Sequence, residues 1–462
     1  MKMLRGETAQ VPAAGWIGLA LFAIVLALLG GSSRPDAVQN AGLLPLAALF
    51  LVPALYYIDR RDLAKFKLPL LLIGAWTAWT ALQLVPLPPA IWHALPGREP
   101  VEQLDSLLSL ESAWRPLSMV PSRGFAALFG MIVPVTALLL ARSLSSGKQM
   151  ILIILIAVGS VNTFVGLAQV ISGNSQALYF YAISNFGSPV GLFANHNHSA
   201  VLSSLTLLTI AYYVTRLEFS SVQTWHRIVL ASLFVVTLLV ALVGQSRAGL
   251  ITGFLALCAS GSLLWSHRNR PRPGSRKHRE AIPLQSSYVI AALVIALVGM
   301  IASFALFDRI PALSRVAESG TFEDLRWSLF PIVTEMALKF GILGTGFGSF
   351  EHVYHIYEPD SLMLPSYVNQ AHNDLAQMII EGGVPALLLL GAFLFWVFQT
   401  LREFLRTGSD SVSKLVYWAT VFAIILFASM FDYPLRTPLF QMVAVWLVAI
   451  FASERSELRT TA

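Results

Sequence analysis

The stretch NQAHNDLAQMIIEGGVPALLLLGAFLFWVFQT, residues 369–400, sets the class of structure that this chain can adopt. After a polar start it runs apolar to its end, and about 20 apolar residues are enough for a helix to span a bilayer. His372, Asp374 and Glu381 lie within this run. A charge at the centre of a membrane helix costs ~2.5–3.5 kcal/mol on insertion-based scales. The stretch therefore predicts a membrane helix whose polar beginning requires a functional reason.

Composition extends this conclusion to the rest of the sequence. The 462 residues are 56% hydrophobic and 12% charged, with a mean hydropathy of +0.68, which excludes a soluble domain. The short alternating segments of an outer-membrane barrel are absent. One cysteine, Cys258, excludes an internal disulfide and a cysteine-based metal site. We predict an all-α polytopic membrane protein, a single integral membrane domain over residues 1–462.

Apolar runs and basic residues predict the topology. The predicted spans lie near residues 14–31, 41–58, 68–88, 123–141, 149–172, 197–215, 227–244, 248–266, 287–307, 374–400, 414–431 and 436–453, twelve in all. The first is interpreted as an uncleaved span rather than a secretion signal. With the N-terminus in the cytoplasm, about two thirds of the Lys and Arg residues lie on that side, so both termini are predicted to be cytoplasmic. The basic loop 267–286 is then a topology signal and not a nucleic-acid site.

Two segments on the predicted outer side are too long to be simple turns. Residues 89–122 hold apolar residues at a helical period, which predicts a short helix in the membrane interface. Residues 308–373 form a large, partly helical periplasmic loop between spans 9 and 10. Within it, Thr321 and Asp324 resemble a capping box that opens a helix. We expect this loop to cover an active site.

The unusual polar residues all fall on the same predicted outer side. Asp374, Gln377 and Glu381, at i, i+3 and i+7 of a helix, share a face that must point into the bundle or a wet cavity. Other members come from the motifs LFANHNHSA, GQSRAG and FDYPLRTP. The candidate site residues are Asn195, His196, His198, Ser246, Arg247, Arg326, His372, Asn373, Asp374, Gln377, Glu381, Asp432 and Arg436.

These residue types favour chemistry on a lipid pyrophosphate. Arg247, Arg326 and Arg436 come from three outer elements, and guanidinium groups bind phosphate oxygens bidentately. His372 suits a general base. Structural alternatives stay open: a helix cap for Asp374, a structural histidine for His372, and an arginine that snorkels to head groups for Arg247.

Two other signals are interpreted as structural. GILGTGFGSF, residues 341–350, is taken as a turn-rich connector, since no strand precedes it. His196 and His198 lie two residues apart and point to nearly opposite faces of a helix, so we expect no metal site there. A secondary transporter is the alternative to an enzyme. Transporters place polar residues near the midplane and between repeats, whereas here they lie at one face.

The motifs LFANHNHSA, GQSRAGL, GTGFG, QAHNDLAQMIIEGG and FDYPLR, in this order around a long outer loop, resemble the O-antigen ligase and polymerase superfamily of bacterial envelope glycosyltransferases. The likeness covers roughly spans five to twelve. It implies a C-type membrane glycosyltransferase-like fold in the bacterial inner membrane, with the active site facing the periplasm. It also implies a metal-independent, inverting transferase without cofactors, whose donor is a glycan on undecaprenyl pyrophosphate.

The resemblance also implies roles for individual residues. His372 matches the histidine that activates the acceptor hydroxyl, and Arg247 matches the arginine that contacts the donor pyrophosphate. Arg326 is similar to a second such arginine by its place in the loop, and Asp432 and Arg436 belong to a late motif without an assigned role. The spacing favours a ligase that uses the lipid A core as acceptor. A polymerase for an exopolysaccharide or O-antigen is the alternative, and related enzymes glycosylate protein serines.

Overall fold

The computed structural model describes residues 13–56, 65–143, 148–172, 176–217, 224–244, 246–268, 321–363, 368–407 and 409–461. Most of these residues are helical, and two strands of two residues each, β1 (Pro86–Leu87) and β2 (Arg115–Pro116), pair antiparallel. The predicted all-α polytopic class is confirmed. The predicted ninth span and most of the basic loop 267–286 lie outside the described residues.

Sixteen α-helices are described. They are α1 (Ala13–Leu29), α2 (Asn40–Tyr56), α3 (Lys67–Leu82), α4 (Pro89–His93), α5 (Glu99–Leu107), α6 (Pro121–Gly130), α7 (Ile132–Ser143), α8 (Lys148–Ile171), α9 (His196–Val214), α10 (Thr224–Val243), α11 (Arg247–Arg268), α12 (Thr321–Phe340), α13 (Phe350–Tyr357), α14 (Asp374–Arg406), α15 (Ser409–Phe431) and α16 (Pro438–Thr461). Short 3-10 helices cover Gln176–Leu178, Asp360–Leu362 and Pro434–Arg436.

Each predicted span that falls on described residues corresponds to a helix, the fourth span to α6 and α7 together. Within the described ranges, seven helical stretches are long and apolar enough to cross a membrane, and α1, α2 and α3 are shorter apolar helices. By length and composition, the chain is a multi-pass membrane protein.

Helix α9 lies at the centre of the bundle, packed against α8, α10, α11 and α15. It is buried from Asn197 to Tyr212, and it is rich in serine and threonine. Ser203 and Thr206 donate to carbonyls one turn earlier, at 3.0 and 2.7 Å, so their hydroxyls are satisfied inside the helix. Such small residues allow neighbouring helices to approach closely. A moderately polar helix is therefore stable here because it does not face lipid.

The described part of the predicted outer loop folds over the start of α14, and we call α12 and α13 the roof. Leu329 and Met336 of α12, Phe350 and Tyr354 of α13, and Ile380 of α14 share a buried apolar core. A helix lies where the sequence predicts one in this loop, over Thr321–Phe340, and the residues before Thr321 lie outside the described residues. A helix also forms in the predicted interfacial segment, as α5. The roof is thus packed onto α14 by apolar burial.

Candidate active site

Asp432 lies at the centre of the polar residues that meet at one end of the bundle, where α9, α11 and α14 begin; we call this the site end. It sits in the turn between α15 and α16 and is 2% exposed. The side chains of Asn195 and Asn197 donate to its Oδ2 at 3.3 and 2.6 Å. Asn195 also caps α9, since its Oδ1 accepts from the Asn197 backbone N–H at 2.8 Å. Asn195 therefore holds the start of α9 next to the Asp432 carboxylate.

Two imidazoles approach the same carboxylate. Nε2 of His198 lies 3.8 Å and Nδ1 of His372 lies 3.6 Å from Oδ1 of Asp432, longer than hydrogen bonds. The Tyr433 ring packs edge-on to both imidazoles, with centroids 5.1 Å and 5.0 Å away. Burial acts to raise the pKa of Asp432, but the neighbouring imidazoles of His198 and His372 outweigh it and hold the pKa well below its ordinary value.

The two histidines differ in access. His198 is 1% exposed, and neither of its ring nitrogens has a hydrogen-bond partner among the described residues. The His372 side chain is 21% exposed, with Nδ1 buried on the Asp432 side. Of the two, His372 is the histidine that a substrate can reach.

The backbone at His372 is in a rarely populated conformation. Its φ is +50°, in the left-handed region, which costs a non-glycine residue about 1–3 kcal/mol. The chain is held on both sides: the Ala371 N–H donates to Oε1 of Gln377 at 2.9 Å, and the Asp374 N–H donates to the Asp432 carbonyl at 3.3 Å. The surrounding contacts thus impose the position of the His372 ring.

Arg436 pairs with both carboxylates on the polar face of α14. Its Nε lies 3.2 Å from Oδ1 of Asp374 and its Nη1 lies 3.0 Å from Oε2 of Glu381. Nε2 of Gln377 donates to Oε1 of Glu381 at 3.1 Å. Asp374, Gln377 and Glu381 are all buried, so this pairing avoids the cost of isolated buried charges. The cap of α14 is Asn373, whose Oδ1 accepts from the Ala376 N–H at 3.0 Å, and not Asp374.

The glycine-rich segment 344–348 packs against a break in α14. Gly383 has φ +63°, which interrupts the helix and frees the carbonyls of the preceding turn. The Thr345 and Gly346 N–H groups donate to the Ile380 and Glu381 carbonyls at 2.8 and 3.0 Å. This loop is therefore a connector with a positioning role, because it supports the turn that carries Glu381.

Gln83, just after α3, joins these elements, and sequence reasoning missed it. Its Nε2 donates to the Glu381 carbonyl at 2.9 Å, and its Oε1 accepts from the Phe347 N–H at 3.0 Å. The indole of Trp79 donates to the Gly382 carbonyl at 2.8 Å. A single glutamine at the end of an apolar helix forms no sequence pattern, so the sequence does not indicate its partners, which lie far away along the chain.

A cavity of about 350 Å³ opens beside this cluster. Three arginines line it: Arg436, Arg34 from the α1–α2 loop and Arg123 from α6. Arg34 pairs bidentately with Asp36, and Nη2 of Arg123 lies 3.9 Å from Oε2 of Glu351. Arg34 and Arg123 were missed, although cations are scarce on the predicted outer side and that scarcity was a usable signal. Other lining residues are Ser32, Trp76, Phe347, Glu351, Gln370, Asp374, Gln377, Glu381 and Gln441.

The other predicted residues lie nearby but outside this cavity. Among the described lining residues, neither His372 nor Arg247 is included; Arg247 begins α11 and is half-buried. Ser246 caps that helix, since its Oγ accepts from the Gly249 N–H at 2.8 Å. The His196 N–H donates to Oδ1 of Asn185 at 3.1 Å. The Arg326 side chain lies outside the described residues.

The described residues contain no group of three or more His, Cys, Asp or Glu side chains arranged to hold a metal ion. What they assemble is a buried carboxylate, a reachable imidazole beside it and a cavity with three arginines. This arrangement can take a proton from a hydroxyl and accept an anionic group.

Comparison with known proteins finds one domain match. Residues 232–391 match the family model described as O-Antigen ligase, while no curated protein matches the chain. The matched segment includes Arg247, the roof, His372 and Glu381; Asp432 and Arg436 lie beyond it. Members of this family are membrane glycosyltransferase-like enzymes, ligases or polymerases of envelope glycans. Residues 232–391 are therefore similar to the O-antigen ligase domain, and together with the membrane-spanning helices this match supports the O-antigen ligase superfamily.

Proposed function

We propose that the protein is an O-antigen ligase-type glycosyltransferase. It moves a glycan from undecaprenyl pyrophosphate to a hydroxyl of a lipid A core sugar, at the outer face of the bacterial inner membrane. The family match and the multi-pass fold support this class of reaction. The observation that carries the proposal is the reachable His372 imidazole held against the buried Asp432 carboxylate.

His372 is the general base in this proposal. Nδ1 faces Asp432, which favours the tautomer with a proton on that nitrogen and leaves Nε2 to accept one. As the acceptor oxygen bonds to the anomeric carbon, its proton passes to Nε2. The bond from that carbon to the pyrophosphate oxygen breaks on the opposite side, and the electron pair leaves with the pyrophosphate. The attack inverts the anomeric centre and needs no metal.

Arginines stabilise the pyrophosphate as it leaves. Arg436 is already paired with two carboxylates, so its main role is to hold α14 in place. Arg34 and Arg123 line the cavity and supply guanidinium donors there. Arg247, and Arg326 by its place in the family's loop, are further proposed contacts to the donor. Asn195, His196, Ser246 and Asn373 support the site by fixing helix starts, and His198 supports it by packing against Asp432.

The base assignment is tested with purified full-length protein and a glycan on undecaprenyl pyrophosphate as donor. His372→Ala removes the base, and general base catalysis contributes about 10²–10⁴-fold, so transfer falls by that factor. His355→Ala on the roof is the matched control, since His355 is exposed and pairs only with Glu358 in the described structure. Transfer by His372→Ala at the rate of this control means that His372 is not the base.

A deletion strain separates ligase from polymerase. A missing ligase leaves long glycans on undecaprenyl pyrophosphate and a bare lipid A core. Loss of a polymerase causes single repeat units to accumulate instead, which supports chain extension as the function. An unchanged profile of envelope glycans contradicts both and favours a transporter.

A further inference from the structure

A second cavity lies at the opposite end of the bundle, between the start of α3 and the ends of α14 and α16. Its volume is also about 350 Å³. The charged residues that line it are Lys65, Lys67, Arg455 and Arg459, and no acidic residue is among the described lining residues. A cavity whose described charged lining residues are all cations is complementary to an anion.

The arginines on one wall are held in place by a single carboxylate. Arg455 pairs bidentately with Glu403, at 2.9 and 2.8 Å, and Nη2 of Arg459 lies 2.6 Å from Oε1 of the same residue. Two guanidinium groups therefore share one negative charge, and Lys65 and Lys67 also line the cavity. A bound anion offsets the repulsion between these two guanidinium groups.

The remaining walls are apolar. Leu68 and Leu71 of α3 lie beside Trp396, whose ring centroid is 6.0 Å from Cζ of Arg455. Leu71 is exposed at 57%, so the apolar wall continues from the cavity onto the outer surface of α3, where acyl chains lie in a membrane. A ligand that satisfies both walls has a negative headgroup and an apolar tail.

We propose that this cavity binds the phosphate headgroup of an anionic phospholipid, with an acyl chain along Leu68 and Leu71. The positive-inside rule places this end at the cytoplasmic leaflet, and basic pockets between membrane helices on that side bind such headgroups. The site is separate from His372 and from the proposed reaction. It anchors α3, α14 and α16 to one another through a lipid.

Native mass spectrometry of the full-length protein tests this with a mixture of phosphatidylglycerol and phosphatidylethanolamine. Wild type retains phosphatidylglycerol selectively. In Lys65→Gln/Lys67→Gln we expect about thirtyfold weaker retention of phosphatidylglycerol. This factor corresponds to the binding free energy that two basic residues contribute at an anionic surface. Lys148→Gln is the control, because Lys148 pairs with Glu457 at this end of the bundle and does not line the cavity. Its retention stays at the wild-type level.

Equal retention of phosphatidylglycerol by the double variant and the Lys148→Gln control overturns the proposal. If the double variant does not fold, Arg459→Gln replaces it, since the Arg459 side chain is 61% exposed. Inorganic phosphate is added as a competitor. Displacement of the lipid at equal concentrations of phosphate means that the cavity takes a free anion and contradicts a lipid site.

Discussion

At the scale of single residues, the site depends on the Asp432 carboxylate, whose neighbours are mostly hydrogen-bond donors. Asp432 accepts from Asn195 and Asn197 and lies against His198 and His372. Such a charge is stable in a buried position only while these partners remain. The conformation of His372, with φ +50°, depends on the same neighbourhood, because its flanking N–H groups are held by Gln377 and Asp432.

Asp432→Asn tests the orienting role of the carboxylate. An amide presents an N–H group to donors and no longer fixes the His372 tautomer, so we expect transfer to fall about 10²-fold or more. Rates measured with a lipid pyrophosphate donor check this, with Asp360→Asn on the exposed 3-10 helix as control. Full activity in Asp432→Asn means that Asp432 does not act through His372.

The same residue predicts a pH dependence of stability. The pKa of Asp432 is lower in the folded state than its ordinary value of about 3.9. Ionised Asp432 therefore stabilises the fold fully when the pH is above this ordinary pKa. The contribution is lost as the pH falls through the lower pKa of the folded state. Asp432→Asn therefore melts below wild type at neutral pH. The difference narrows only under acid, below about pH 4. Thermal unfolding across pH measures it, and a constant difference down to pH 2 contradicts the depressed pKa.

At the scale of elements, α14 is two helical segments joined at Gly383. The glycine-rich loop after α12, Gln83 and Trp79 take up the backbone groups that the break exposes. The first segment carries the polar face of the site, and the second continues as an apolar membrane helix. The break lets one stretch of chain serve both roles, because the two segments need not share one axis.

Gly383→Ala tests this junction. A Cβ at this position lies 2.6 Å from the Ile342 carbonyl oxygen, and φ +63° adds about 1–3 kcal/mol of strain. We expect a clearly lower melting temperature and loss of transfer. Gly391→Ala in the same helix is the control, with nothing within 4 Å of its Cβ, and should be neutral or slightly stabilising. If Gly383→Ala and Gly391→Ala have the same melting temperature, the break at Gly383 is not required for stability.

At the scale of the whole molecule, the cavity is assembled from segments far apart in sequence. Arg34 comes from the loop after α1, Arg123 from α6 and Arg436 from the turn before α16. The domain matched by the family model contains none of the three. The N-terminal part of the chain, which the family model does not match, therefore contributes to the cavity wall.

Arg34→Gln/Arg123→Gln tests the cavity as the pyrophosphate site. Each lost charge-assisted hydrogen bond weakens binding by about 1.5–3 kcal/mol, so the Kd for undecaprenyl pyrophosphate rises at least tenfold. Arg406→Gln at the opposite end is the control. Arg247→Gln is measured beside them, since the family resemblance assigns pyrophosphate to Arg247. If only Arg247→Gln weakens binding, the pyrophosphate site lies at the start of α11 and not in the cavity.

The sequence by itself determined the fold class, most of the helix positions and some of the residues that meet at the site end. Hydropathy and helical period are local properties, so they identify apolar helices and the shared face of Asp374, Gln377 and Glu381. The five motifs also identified the family that the domain match supports.

Only the tertiary structure decided how these residues pair. Arg436 pairs with Asp374 and Glu381, and Gln83 supports the break at Gly383, across separations that no local pattern records. Arg34 and Arg123 face the cavity because helix packing brings their segments to the same wall. The physical reason is that periodicity fixes which face a side chain occupies, whereas its partners depend on how helices distant in sequence pack together.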